Sequence, residues 1–212
     1  MFTEVLSPET LKAVRFIAPK IPGFYLAGGT GLALQIGHRL SNDLDFFTPN
    51  DIIPEHLIDA IRPTRILLVQ KGTLHCEWNH VKLSFLQYAP ALLRPPIPWE
   101  GTKLAHTDDL AAEKLKAIAQ RGAKKDFFDL YALSKMGYDI ETICQLFWKR
   151  FSDYGANAYH VIKSLIFFED AEQEPDPVVR WSDPDFTWQE VKRHFVNHLN
   201  AFERHLVRLS SR

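Results

Sequence analysis

Leu26-Ala27-Gly28-Gly29-Thr30 and, after a short helical interval, Asn42-Asp43-Leu44-Asp45-Phe46-Phe47 decide how this chain is read. An apolar run entering a Gly-Gly-Thr turn predicts a strand that turns into a helix. The backbone N–H groups at such a helix start favour phosphate. In the second stretch two aspartates stand one residue apart on a predicted strand. Strand side chains alternate between faces, so Asp43 and Asp45 point the same way. Two carboxylates on one face repel unless a cation lies between them, and a divalent metal is the usual answer. A phosphate cradle beside a metal-binding aspartate pair points to a site for a metal-bound nucleoside triphosphate.

The rest of the composition bounds that reading. At 212 residues the chain is one sizeable domain or a catalytic unit with a helical part appended. A hydrophobic fraction of 46% with 24% charge is that of an ordinary globular protein with a packed core. The formal net charge of −1 excludes a broadly basic nucleic-acid coat, though not a local basic groove. Cys76 and Cys144 lie far apart with no metal-ligand spacing, as reduced thiols of a cytosolic protein would. No signal pattern and no apolar run of membrane-spanning length is evident, so the expectation is a cytoplasmic protein with no membrane partner.

Along the chain, Ser7-Pro8-Glu9 starts a helix, with serine as cap and proline at the first helical position. Strands are expected at Phe24 to Ala27 and Asp43 to Phe47, with a helix from Thr30 to Arg39 between them. A short helix follows from about Asp51–Pro54, then a strand from Arg65 to Val69. Thr73 to Trp78 and Val81 to Gln87 should pair through a tight Asn79-His80 turn. The proline-rich segment Pro90 to Pro98 reads as an irregular crossing that ends the sheet. From Thr107 only helices are expected: one capped by Asp108 or Asp109 and reaching Arg121, then Lys124 to Met136, Ile140 to Phe151, Ala156 to Phe168, and Thr187 to about Leu209. The fold class is therefore α/β: a mixed-sheet core over residues 1–106, followed by an α-helical C-terminal bundle over 107–212.

Gly28-Gly29-Thr30, its spacing to Asp43-Leu44-Asp45, and the later run Lys114…Arg121…Lys125-Asp126…Asp129-Leu130-Tyr131 together resemble the AbiEii/AbiGii-type nucleotidyltransferases. That family belongs to the polymerase-β-like nucleotidyltransferase superfamily and includes toxins of toxin–antitoxin and phage-defence systems. The resemblance implies Mg²⁺-dependent transfer of a nucleoside monophosphate from an NTP to an acceptor hydroxyl. It further implies an RNA acceptor, a tRNA 3′ end included, and a cognate antitoxin as partner. Gly28, Gly29 and Thr30 would hold the β- and γ-phosphates, although Thr30 alone reads equally well as a helix N-cap. Asp43 and Asp45, partly buried, would ligate two Mg²⁺ ions that bridge the triphosphate and the attacking hydroxyl. Lys114 and Arg121, two helical turns apart, would neutralise the triphosphate. Lys125, Asp126 and Asp129 would support the site, the two acids by orienting Lys114 or Arg121.

One position departs from the family pattern. Active superfamily members carry a third acid on a neighbouring strand, here Val81 to Phe85, and the chain has Ser84 where that acid would fit. Serine orients a hydroxyl but is a poor base, and general-base help is worth roughly 10²–10⁴-fold. Glu77 on the partner strand is the substitute considered, and Lys82 is either a solvated strand charge or a phosphate contact. Two readings follow: an active transferase, or a degenerate one that binds nucleotide or a partner protein without turnover. A metal-dependent nuclease fits the Gly-Gly-Thr cradle badly. His194 and His198, four apart, have the spacing of a Zn²⁺ pair without an accompanying acid.

Overall fold

The structure, a computed structural model, describes residues 1–211. Its contacts divide the chain into two compact units, Met1–His106 and Thr107–Arg212.

The first unit is organised on a seven-stranded mixed sheet with helices α1 (Pro8–Ile17), α2 (Gly28–Ile36) and α3 (Pro54–Ile61). The strands are β1 (Tyr25–Leu26), β2 (Leu44–Thr48), β3 (Arg65–Gln70), β4 (Thr73–Trp78), β5 (Val81–Gln87), β6 (Ile97–Trp99) and β7 (Thr102–Leu104). Their order is β3-β4-β5-β2-β1-β7-β6. β2 runs parallel to β5 and β1 parallel to β7, whereas the other pairs are antiparallel. Alternation decides the faces: Val81, Leu83 and Phe85 are buried while Lys82 is exposed and Ser84 half-buried. The apolar face joins Leu26, Leu44, Phe46, Leu83, Phe85 and Leu104 in one core, with the Phe46 and Phe85 rings stacked at 5.4 Å. Each such ring contributes about 1.5–3 kcal/mol on burial. The same alternation turns Lys82 and Ser84 to the opposite face, where Ser84 stands beside Asp45.

Ser7 caps α1, its hydroxyl accepting the Thr10 N–H at 3.1 Å. Several boundaries differ from the sequence reading for identifiable reasons. α2 begins on the glycines rather than at Thr30 and stops at Ile36, because Gly37 takes a left-handed conformation (φ +69°). β2 starts at Leu44, leaving Asp43 in the approach to the strand. The sheet does not end at the prolines. β6 carries Pro98, which an edge strand tolerates since the ring needs no ladder partner on its outer side, and β7 then pairs with β1. At the opposite edge every residue of β3 is exposed, and its register with β4 slips between Ile66 and Leu68. Such a bulge twists an edge away from further pairing.

The second unit contains α4 (Thr107–Arg121), α5 (Lys124–Lys135), α6 (Ile140–Phe151), α7 (Ala158–Ser164), α8 (Glu169–Glu172) and α9 (Trp188–Ser210). Its core is aromatic: Phe127 contacts Phe168, Trp188 and Phe195, and Phe128 contacts Phe186 and Trp188. Asp109 is not a cap. It is fully buried and accepts the Arg150 guanidinium at 2.7 Å. α7 is shorter than expected because Asn157 caps it, accepting the His160 N–H at 3.0 Å. No helix among the described residues is long and apolar enough to cross a membrane.

Candidate active site

The strand–turn–helix unit brings the two halves of the quoted sequence into contact. The Ala27 N–H donates to the Asp45 carbonyl at 3.0 Å, continuing the β1–β2 ladder into the turn. Gly28 then adopts φ +64°, and a Cβ placed on it would meet Asp45 Oδ2 at 2.7 Å. Only glycine combines that conformation with so close an approach. The first α2 backbone bond is Gly31 N–H to Ala27 carbonyl at 3.0 Å, so the N–H groups of Gly28, Gly29 and Thr30 precede the helical ladder. Gly28, the first of these three residues, lies against the Asp45 carboxylate.

Thr30 is placed otherwise than a cap would be. The N-cap is Ala27, and Thr30 is buried two residues inside the helix. Its hydroxyl donates to the Asp43 carbonyl and lies 2.7 Å from the Ser41 hydroxyl. The side chain thus fastens α2 to the segment entering β2 and fixes the backbone at Asp43, while its N–H remains at the helix start.

The two aspartates differ in setting. Asp45, on β2, is half-buried; Asp43, just before the strand, is exposed. The expectation that both are partly buried is corrected for Asp43, since the strand that would have covered it begins one residue later.

Register defines what stands next to them. Asp45 is opposite Ser84 on β5, and Ser84 is opposite His75 on β4, so these three form one row across the polar face. The neighbouring row holds Lys82, Glu77 and Arg65. Ser84 thus occupies the position directly beside Asp45, and Glu77 faces Lys82 instead. The group that stands behind Ser84 is His75, half-buried, which sequence reasoning missed. Counting pairs back from the Asn79-His80 turn would have found it.

The remaining predicted residues lie in the helical unit. Lys114 is buried, its ammonium 2.9 Å from Asp126 Oδ1 and 2.6 Å from Asp129 Oδ2. Arg121 grips Asp126 as a fork, Nε to Oδ2 at 2.7 Å and Nη2 to Oδ1 at 3.0 Å. Burial pushes the Asp126 carboxyl up, but the Lys114 and Arg121 charges outweigh it and hold the group below its ordinary value. Two cations and two anions balance in this cluster. The Arg121 side chain is 57% exposed, whereas Lys114 and the acids are buried. Lys125, beside them, is half-buried.

Among the described residues, no three His, Cys, Asp or Glu side chains gather as a metal centre. His194 and His198 therefore have no third ligand, and the His198 Nδ1 lies 2.8 Å from the His194 carbonyl. Asp43 and Asp45 are two donors rather than a cage. That set fits Mg²⁺, which binds through one or two carboxylates together with substrate phosphates.

The sequence model of the family described as "Nucleotidyl transferase AbiEii toxin, Type IV TA system" matches residues 10–77 and 79–206. An uncharacterized protein of Aquifex aeolicus (strain VF5) is 38% identical over 187 residues, spanning 84% of this chain and 87% of its own. Among solved structures, the nucleotidyltransferase toxin MenT4 of Mycobacterium tuberculosis H37Rv superposes with a TM-score of 0.54 at 16% identity, covering 93% of this chain and 90% of that one. JHP933 of Helicobacter pylori superposes with a TM-score of 0.52 at 17% identity, covering 97% of each chain. The structural likenesses bear on the fold; the match along nearly the whole sequence bears on kinship, and by it the chain belongs to the AbiEii nucleotidyltransferase toxin family.

Proposed function

We propose that this protein is a Mg²⁺-dependent nucleotidyltransferase that moves a nucleoside monophosphate from an NTP to a hydroxyl of RNA, tRNA 3′ ends included. In this reading it acts in the cytoplasm, as the toxin partner of an antitoxin protein. The observation that carries the chemistry is the approach of Asp45 Oδ2 to the bare Cα of Gly28, where a Cβ would stand 2.7 Å away. It joins a metal ligand to a phosphate cradle with no side chain between.

In this reading the N–H groups of Gly28, Gly29 and Thr30 bind the β- and γ-phosphates. Asp43 and Asp45 would hold Mg²⁺, which when bound would supply charge neutralisation of the triphosphate. Arg121 is the more exposed cation of the helical cluster. Lys114 pairs with both Asp126 and Asp129 in the interior and helps hold the Asp126 carboxyl below its ordinary value, a positioning role that its two ion pairs support. No carboxylate stands at Ser84 to take the proton of the attacking hydroxyl. Ser84 orients that hydroxyl, and the proton passes by way of water to His75, the next residue along the row.

Incubation with labelled NTPs, Mg²⁺ and total tRNA tests the assignment. Label should enter RNA, disappear on chelation with EDTA, and disappear in Asp43→Asn and Asp45→Asn with the fold intact by circular dichroism. Full activity in either variant overturns the metal assignment. Serine at the third-acid position favours one second reading, a transferase that binds nucleotide or a partner protein without turnover. Measurable NTP binding with no label transfer from any NTP would select it.

A further inference from the structure

A cavity of about 300 Å³ opens in the sheet unit where β2 and β5 begin. It is lined by Asn42 and Asp43 ahead of β2, by Asn79, His80, the apolar Val81 and Lys82 of the β4–β5 hairpin, and by the first turn of α1. We propose that this cavity is the acceptor subsite, holding the terminal nucleoside of a single-stranded RNA end whose hydroxyl attacks the NTP. The inference rests on the transferase reading above and adds where the acceptor binds and which residues recognise it.

The direction of the reaction places the acceptor there. Across the sheet the order runs β1, β2, β5. The phosphate cradle stands on the β1 side, against Asp45. In-line displacement puts the attacking and leaving oxygens on opposite sides of the α-phosphorus. Pyrophosphate held at the cradle therefore leaves toward β1, and the acceptor comes from the side of β5, where the cavity opens. Asp43 lines the cavity while Asp45 touches the cradle, so the aspartate pair spans the two. The acceptor oxygen forms its bond to the α-phosphorus as the α–β bridging P–O bond breaks. Pyrophosphate carries off the electron pair, and the acceptor proton enters the Ser84–His75 row.

The lining chemistry selects a nucleoside. Asn42 Oδ1 accepts the Ser7 N–H at 2.8 Å and the Thr10 hydroxyl at 3.2 Å, which fixes the side chain and directs its NH₂ as a donor. Asn79 offers a second amide and His80 a planar ring, the groups with which proteins read and stack unpaired bases. Lys82 supplies a point charge for the adjoining phosphate. A volume near 300 Å³ is at the small end of ligand cavities, suited to one nucleoside rather than to a folded chain segment.

The hairpin turn supplies an independent observation. Asn79 and His80 both have positive φ, +47° and +68°. A two-residue type I′ turn requires this at both positions, and glycine is its favoured second residue. Thr64 pins the turn, its hydroxyl accepting the Asn79 N–H at 3.2 Å and donating to the Glu77 carbonyl at 2.9 Å. A histidine where glycine is favoured puts a ring at the cavity that it helps to line.

His80→Gly is the discriminating variant, because it removes the ring while relieving the strain. Its melting temperature should be unchanged or higher. Its affinity for a short single-stranded oligoribonucleotide should fall about tenfold, the scale of one lost stacking contact, and the acceptor KM should rise to match while NTP affinity stays constant. Lys82→Gln should weaken oligoribonucleotide binding in the same assay. Unchanged RNA affinity in both variants, a loss of NTP affinity instead in His80→Gly, or transfer of label to protein hydroxyls rather than RNA overturns the proposal. Should Asp45→Asn abolish transfer while RNA binding ignores both hairpin variants, the transferase reading stands and this subsite fails. If the wild-type protein transfers nothing, the binding comparison still decides the subsite separately.

Discussion

Gly28 carries two constraints at once, a left-handed backbone and the Asp45 carboxylate where its side chain would be. Gly28→Ala should therefore destabilise the fold by about 1–2 kcal/mol from the backbone alone and displace Asp45. A lowered melting temperature with loss of nucleotide transfer is expected, and a variant that keeps both intact would contradict the geometry. At this scale the quoted residues were legible because turn chemistry and strand alternation are local. His75 was not, since its importance comes from pairing two strands away from Asp45. If the Ser84–His75 row receives the acceptor proton, His75→Gln should lower kcat by roughly 10²–10⁴-fold with little change in NTP affinity.

Among the elements, the β4–β5 hairpin was readable to the residue because a two-residue turn between alternating strands leaves one register. β6 and β7 were not. Three residues each, one with a proline, carry no periodicity, and only pairing with β1 makes them strands. α9 was legible from its apolar stripe, yet the same helix holds a group whose behaviour depends on packing. His194 lies against Tyr131, Phe195 and His198, and its Nε2 is buried without a hydrogen-bond partner. Burial, with a smaller contribution from His198, pushes its pKa down to about 4. The unfolded chain takes up this proton near pH 6.5 and the folded chain only near 4, so acidification through that window favours unfolding. The stability at stake is up to about 3 kcal/mol, less the part that solvent screens. His194→Phe should flatten the dependence of melting temperature on pH between 6.5 and 4, and an unchanged slope would show that the ring is not the source.

Over the whole molecule, the two units differ in how they hold charge. The fully buried carboxylates, Asp109, Asp126 and Asp129 among the described residues, all belong to the helical unit, and each faces a lysine or arginine. The sheet unit keeps its aspartate pair at the surface or half-buried, where a ligand can reach it. Buried ion pairs add little net stability against an apolar replacement, but removing one partner strands the other and costs about 3–5 kcal/mol. Lys114→Met leaves Asp126 with Arg121 and deprives Asp129 of the ammonium 2.6 Å away, so a loss of that size is expected in chemical denaturation. The acid response follows with a definite sign. Asp126 titrates below its ordinary value in the folded protein, so its contribution is complete above about pH 4 and is lost as pH falls through the lower, folded value. His194 has by then already weakened the same unit. Hydrogen-exchange mass spectrometry after stepwise acidification should therefore show peptides from 107–211 losing protection at a higher pH than those from 1–106. Lys114→Met should move that loss to higher pH still. Simultaneous loss in both units, unmoved by the substitution, would mean that the buried charge network does not govern acid stability.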